Sequence, residues 1–232
     1  MERPKDYLGY PKRKVELVFC VDTTESSVGI IEVVKKEIIR AIKTVLDEIY
    51  GLEPSLVNAR LISFKSYEDC GENAIKSTSF FSNPLNNADF LKALDSLEIS
   101  GGARGFSNGF EAFYEALYSD WDSSCVKDYQ FIIHISTASA VILGTDCDYE
   151  FYPKNMPRTE EEFFKEVVYP KESGNLKINP RKYYNIFVCK NDSDIRRFDS
   201  LLPHSYVIMD EGRSLIEAIE EIPDLIRGIY DL

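Results

Sequence analysis

The sequence predicts an α/β fold: a mostly parallel six-stranded sheet with one antiparallel edge strand and helices on both faces. Two observations carry this. Short, continuous apolar runs of strand length recur along the chain, as in strands covered on both sides. Between them lie stretches whose apolar residues step by three and four, the pattern of amphipathic helices. Such alternation builds right-handed βαβ units. At 232 residues the chain suffices for one well-buried core. It divides into an N-terminal extension, 1–13, and a single domain, 14–232.

The elements follow in order. VELVFCV (15–21) is the first buried strand. Residues 28–50 form a helix, with Ile31, Val34, Ile38, Ile42, Val45 and Ile49 on one face and Ser26 or Ser27 placed to cap it. NARLISFKS (58–66) is the second strand, and the more alternating NAIKSTSFF (73–81) pairs beside it as an antiparallel edge. Helices are expected at 88–97 and 107–121, the latter entered from a glycine-rich loop. YQFIIHIS (129–136) is a further buried strand. Residues 159–168 read as a helix with acids in its first turn, where the helix dipole favours them. Strands at 183–190 and 205–210 precede a closing helical stretch, 214–230, that Pro223 breaks or restarts.

Composition narrows the function classes. A net charge of −12 opposes a nucleic-acid surface, which needs clustered Lys and Arg, and equally an anionic membrane face. No apolar run reaches the ~18 residues of a spanning helix. MERPKDYLGYPKRK lacks the apolar core of a signal peptide. Cys20, Cys70, Cys125, Cys147 and Cys189 form no CxxC, and their odd number fits a reduced, cytoplasmic protein.

The chemistry concentrates at VFCVDTTESS (18–27). A buried strand there ends in Asp22, Thr24 and Ser26, whose alternate spacing lets one turn aim three oxygens at a single point, as a divalent cation requires. In a parallel sheet, ligands bind beyond the carboxyl ends of strands, which is where Asp22 falls.

With that motif, the order of elements, LISFKSYED (61–69) and SGGARGFSNGFEA (100–112), the chain from about 14 to 230 resembles a von Willebrand factor A domain. ALYSDW (116–121) and NMP (155–157) resemble the bacterial cytoplasmic branch of that family. The resemblance implies a doubly wound, Rossmann-like sheet. It implies adhesion or assembly through a Mg²⁺ site whose coordination a partner's carboxylate completes. Three loops supply that site. Asp22, Thr24 and Ser26 match the first, with Thr for the first Ser. In the second, Arg104 falls where an acid is expected, with Ala103 beside it. In the third, Ala138 replaces an Asp.

One carboxylate then remains, together with a guanidinium that repels a cation ~4 Å away by roughly 4 kcal/mol at an effective dielectric of 20. The expectation is a degenerate, metal-free site in which Arg104 pairs with Asp22. If Arg104 points to solvent instead, Ser107 rotates in and a weak Mg²⁺ or Mn²⁺ site survives. Arg104, Ser107 and Ser136 are the candidate partner-binding residues, Arg104 receiving a partner's acidic side chain; the blander alternative is a rim salt bridge that keeps the cleft folded. The implied function is a non-enzymatic protein-interaction or adaptor module. Family analogy associates it with kinase and phosphatase systems.

A hydrolase is the remaining class. His134 and Ser136 share a strand face and Asp146 is near in sequence, but there is no G-x-S-x-G, P-loop or dinucleotide fingerprint. A hydrogen-bonded strand histidine is the favoured reading of His134. Asp146, Asp148 and Glu150 read as a solvated acidic loop rather than a Ca²⁺ site. Within the long segment 139–158, Tyr149, Phe151 and Tyr152 suit either an interaction surface or packing against the sheet.

Overall fold

A computed structural model describes residues 14–48, 56–102, 105–122, 129–168, 178, 183–190, 193–200, 202–209 and 214–230. Its centre is a mostly parallel sheet. Strand β1 (Val15–Asp22) is buried throughout its length. It pairs in parallel with β2 (Val57–Phe64) on one side and β6 (Tyr129–Ser136) on the other. Strand β8 (Tyr183–Cys189) adds to β6, and β9 (Ser205–Met209) to β8, both parallel. Chain order therefore reverses around β1, and the carboxyl ends of β1 and β6 lie side by side.

The expected antiparallel edge divides in two. β3 (Ile75–Ser77) and β4 (Phe81–Ser82) both run antiparallel to β2, so the described sheet has seven strands rather than six. The division has a local cause at Thr78. Its amide donates to Leu61 O, its hydroxyl accepts from the Leu61 amide, and its carbonyl accepts from Arg60 Nε. Side chains here take over where a regular ladder would have continued.

Alternation along β1 feeds two cores. Val15, Leu17, Phe19 and Val21 pack with α1 (Ile31–Glu48), α3 (Ala88–Asp95), α7 (Leu215–Glu220) and α8 (Ile222–Tyr230). Val18 and Cys20 face α4 (Gly109–Leu117), α5 (Glu160–Val168) and α6 (Ser193–Asp199). A four-residue helix, α2 (Tyr67–Cys70), follows β2. Pro223 is the second residue of α8, where its missing N–H costs nothing, so it restarts the closing helix. No described helix is long and apolar enough to cross a membrane.

The first helix begins later than its periodicity suggests. Glu25–Ser27 form a 3-10 turn, and α1 starts at Ile31. Ser26 and Ser27 do not cap it; their hydroxyls turn toward Asp22 and Thr137 instead. A second small pairing lies beyond the main sheet: β5 (Phe106–Ser107) runs parallel to β7 (Ser139–Ala140).

Candidate functional site: a carboxylate and hydroxyl cluster at the strand ends

The register of the sheet builds the site. Val21 lies opposite Ile135, so the chain leaving β6 passes directly beside Asp22. Asp22 is buried, and both carboxylate oxygens are held. Oδ1 accepts from the Thr24 amide (2.9 Å) and hydroxyl (2.7 Å), closing an Asx turn. Oδ2 accepts from the amides of Thr137 (3.0 Å) and Ala138 (2.9 Å) and from the hydroxyls of Thr137 (3.1 Å) and Ser136 (3.3 Å). A carboxylate has about four lone-pair directions, so these donors saturate it.

The hydroxyls continue the cluster. Thr24 Oγ1 is 2.6 Å from Ser26 Oγ, which is 2.6 Å from Thr137 Oγ1. Ser27 Oγ is 2.8 Å from Thr137 Oγ1 and donates to the carbonyl of Asp22 at 2.8 Å. Thr24, Ser26, Ser27 and Thr137 bring one proton each to more oxygen–oxygen contacts than four protons can fill. The cluster is rich in oxygen lone pairs and poor in protons.

A glycine-rich loop covers it. Gly101 O accepts from the Glu25 amide, and the Gly102 amide donates to Asp69 Oδ2 at 2.8 Å. Gly102 has φ +73°, and a Cβ there would lie 2.4 Å from the Thr24 methyl. Only glycine lets the loop close on Thr24. Asp69, on α2, thus fastens the loop without joining the cluster.

Placement of the predicted residues is uneven. Asp22, Thr24 and Ser26 do converge, and Ser136 reaches Asp22. Ala103 and Arg104 lie outside the described residues. Ala138 brings no side-chain oxygen, but its amide grips Asp22. Ser107 is fully buried in β5, and its Oγ has no hydrogen-bond partner.

Two residues central to the geometry carried little local signal. Thr137 joins through the register of β6. Asn108 ties three segments together: its amide donates to Lys65 O, its Oδ1 accepts from the Tyr67 amide, and its Nδ2 donates to Asp146 Oδ2. An Asn between a glycine-rich stretch and a helix was the only cue.

The other candidates resolve differently. His134 is not held by a hydrogen bond through Nδ1, which is buried without a partner. Its ring stacks on Phe64 at 4.8 Å, and burial lowers its pKa to about 3, which keeps it neutral. Ser136 spends its hydroxyl on Asp22 and Ala138 O, so the structure does not join His134 to Ser136. Asp146 is not solvated: it is 9% exposed and bonded to Asn108. Among the described residues, no group of three His, Cys, Asp or Glu is placed to hold a metal. The aromatic residues of 139–158 divide their roles. Tyr152 is buried, whereas Tyr149 and Phe151 are exposed and stack on each other at 5.1 Å.

A second buried acid lies under that segment. Glu111 Oε1 accepts from the Gly144 amide (3.3 Å) and from Tyr152 OH (3.1 Å), while Oε2 is buried without a partner. Desolvation raises its pKa to about 7, against the pull of these hydrogen bonds.

No protein-family model and no curated protein matches the chain. Among solved structures, it is similar to the pilus adhesin SpaC from Lactobacillus rhamnosus GG in its open conformation, with a TM-score of 0.58 and 13% identity over 95% of this chain. A second form of the same adhesin gives a TM-score of 0.57, again at 13% identity. The chain spans 31% of the adhesin's length. At this identity the likeness concerns the fold, a mixed α/β arrangement with a mostly parallel central sheet.

Proposed function

We propose that this chain is a non-enzymatic protein-interaction module of the von Willebrand factor A type, with a doubly wound sheet and a metal site reduced to a self-contained polar cluster. The observation that carries this reading is the saturation of Asp22. Three backbone amides and three hydroxyls supply the positive ends of dipoles that a cation would otherwise provide. Mg²⁺ is usually held by one or two carboxylates, and here the single one is engaged by donors fixed in the backbone. On this reading the cluster holds three loops in place, and Arg104 offers the charge that meets a partner's acidic side chain.

One observation favours a second reading. The shortage of protons among Thr24, Ser26, Ser27 and Thr137 is a surplus of hard oxygen lone pairs, which Mg²⁺ or Mn²⁺ would relieve. Under it, the same four residues with Asp22 would hold the ion, and the ion would receive the partner's carboxylate.

Thermal unfolding in EDTA against excess Mg²⁺ or Mn²⁺ separates the two. The first reading expects superimposable curves. A ligand at 100 times its dissociation constant adds about 2.7 kcal/mol, a rise of roughly 5–10 °C for a domain of this size. A rise of that order overturns the first reading in favour of the second.

A further inference from the structure

Glu111 sits in α4 with no exposed surface, on a helix that Phe110, Ala112, Phe113, Ala116 and Leu117 anchor in the core. Both close partners of its carboxyl, the Gly144 amide and Tyr152 OH, come from the segment 141–158, and Oε2 is buried with no close partner. A carboxylic acid so placed is cheap to hold neutral and costly to hold ionised. Titratable groups face this region from each neighbouring element. Tyr67 on α2 lies in the combined field of Glu111, Glu115 and Asp146, and burial first, then those acids, holds its phenol well above the ordinary range. Tyr152 is raised likewise, by burial and then by Glu111, with Cys147 adding to the effect. Glu115, one turn along α4, pairs with Arg60 at 2.7 Å. Asn108, which holds Asp146, favours ionised Glu111, as do the Gly144 and Glu111 amides and Tyr152; desolvation outweighs them all.

The segment differs from the helix beneath it in how it is held. Its amides bond within short turns: Thr145 to Ile142 O, Cys147 to Gly144 O, Tyr149 to Asp146 O, Tyr152 to Tyr149 O and Met156 to Pro153 O. Such turns open without disturbing a sheet. Its ties to α4 run through Glu111 itself, through Asn108 to Asp146 (2.9 Å) and through Tyr114 OH to Asn155 O (3.2 Å). Leu143, Tyr152 and Met156 are the apolar side chains it keeps from water.

We propose that Glu111 is a proton-operated latch: with its carboxyl neutral, the segment 141–158 stays closed on α4, and loss of that proton lets the segment open by itself while the sheet remains folded. Opening admits water to both carboxylate oxygens, which the closed state does not supply. It also bares Leu143, Tyr152 and Met156, so the same proton governs how much apolar surface the chain presents. The latch lies apart from the Asp22 cluster and does not depend on whether that cluster binds a cation.

The test is amide hydrogen exchange by NMR on the full chain between pH 5 and pH 8, each rate corrected for the intrinsic pH dependence of exchange. The opening constants at Cys147, Tyr149, Tyr152 and Met156 should rise together, on the order of fiftyfold, if opening returns Glu111 from about 7 to its ordinary 4.5. Amides of β6 should show no such rise at these pH values. Glu111→Gln should hold the four constants level with pH. Tyr152→Phe removes a donor that favours the ion, so its rise should extend to higher pH than in the wild type. This second variant keeps the test decisive if Glu111→Gln does not fold. Constants that stay level in the wild type, a rise that persists in Glu111→Gln, a rise unmoved by Tyr152→Phe, or an equal rise across β6 overturns the proposal.

Discussion

Asp22 and Glu111 are both buried carboxylates, yet their surroundings differ in kind. Asp22 is met by three backbone amides and three hydroxyls. At Glu111 one amide and one phenol reach Oε1 within hydrogen-bond distance, its own amide and the Asn108 side chain pull in the same direction from farther off, and Oε2 has no close partner. Amides fixed by strand register cost no further ordering when they solvate a charge, and they stand in for the water that burial removed. Where the backbone offers fewer of them, burial drives the group toward its neutral form instead. Asp22 ties its loops together by accepting from all of them. At Glu111, desolvation outweighs the hydrogen bonds from the loop after β7, which favour the ionised form.

The largest effect expected from breaking this contrast is at Asp22. Asp22→Ala leaves buried amides and hydroxyls without an acceptor and should cost about 3–5 kcal/mol, read as a lower urea midpoint.

Glu111 should give the next largest, and with a definite pH signature. Its folded pKa, about 7, lies above the ordinary 4.5, so the native chain holds this proton more tightly than the unfolded one. Its contribution is full below about pH 4.5 and is lost as pH rises through about 7, a change on the order of 3 kcal/mol. The difference in unfolding free energy between wild type and Glu111→Gln should carry that slope between pH 4 and pH 8. A flat difference would contradict the assignment.

Gly102→Ala forces a Cβ against Thr24 at a positive φ and should cost about 2 kcal/mol by the same urea measurement, with Asp22 untouched. The smallest expected loss, about 1 kcal/mol, is for Thr137→Val, which deletes a hydroxyl but keeps the amide that grips Asp22. If Thr137→Val instead costs as much as Asp22→Ala, the side-chain cluster rather than the backbone carries the site.

How much of this was legible in the sequence depends on how local each feature is. The long strands were readable because continuous apolar runs have one physical meaning at that length; β6 spans 129–136, as its residues imply. β4, β5 and β7, two residues each, and α2 are too short to show a period, and their pairings depend on distant partners. Asp22, Thr24 and Ser26 were legible because one turn brings them together. Thr137 was not, since only the β1–β6 register delivers it. Ser26 and Ser27 have the chemistry of helix caps, and the tertiary cluster outbid that local use. Glu111 left a faint sign: an acid inside FEAFYEAL, a stretch buried on nearly every side of α4.

The short pairing of β5 with β7 has a mechanical consequence. The Ser139 amide donates to Gly105 O and the Val141 amide to Ser107 O, at 3.1 and 2.9 Å. These bonds splint the glycine-rich loop to the segment leaving β6. Phe106 rides on one side of the splint and Ile142 lies just past the other, while the Thr137 and Ala138 amides that grip Asp22 come immediately before it. One two-residue pairing thus fastens the backbone at Phe106 to the backbone that grips Asp22.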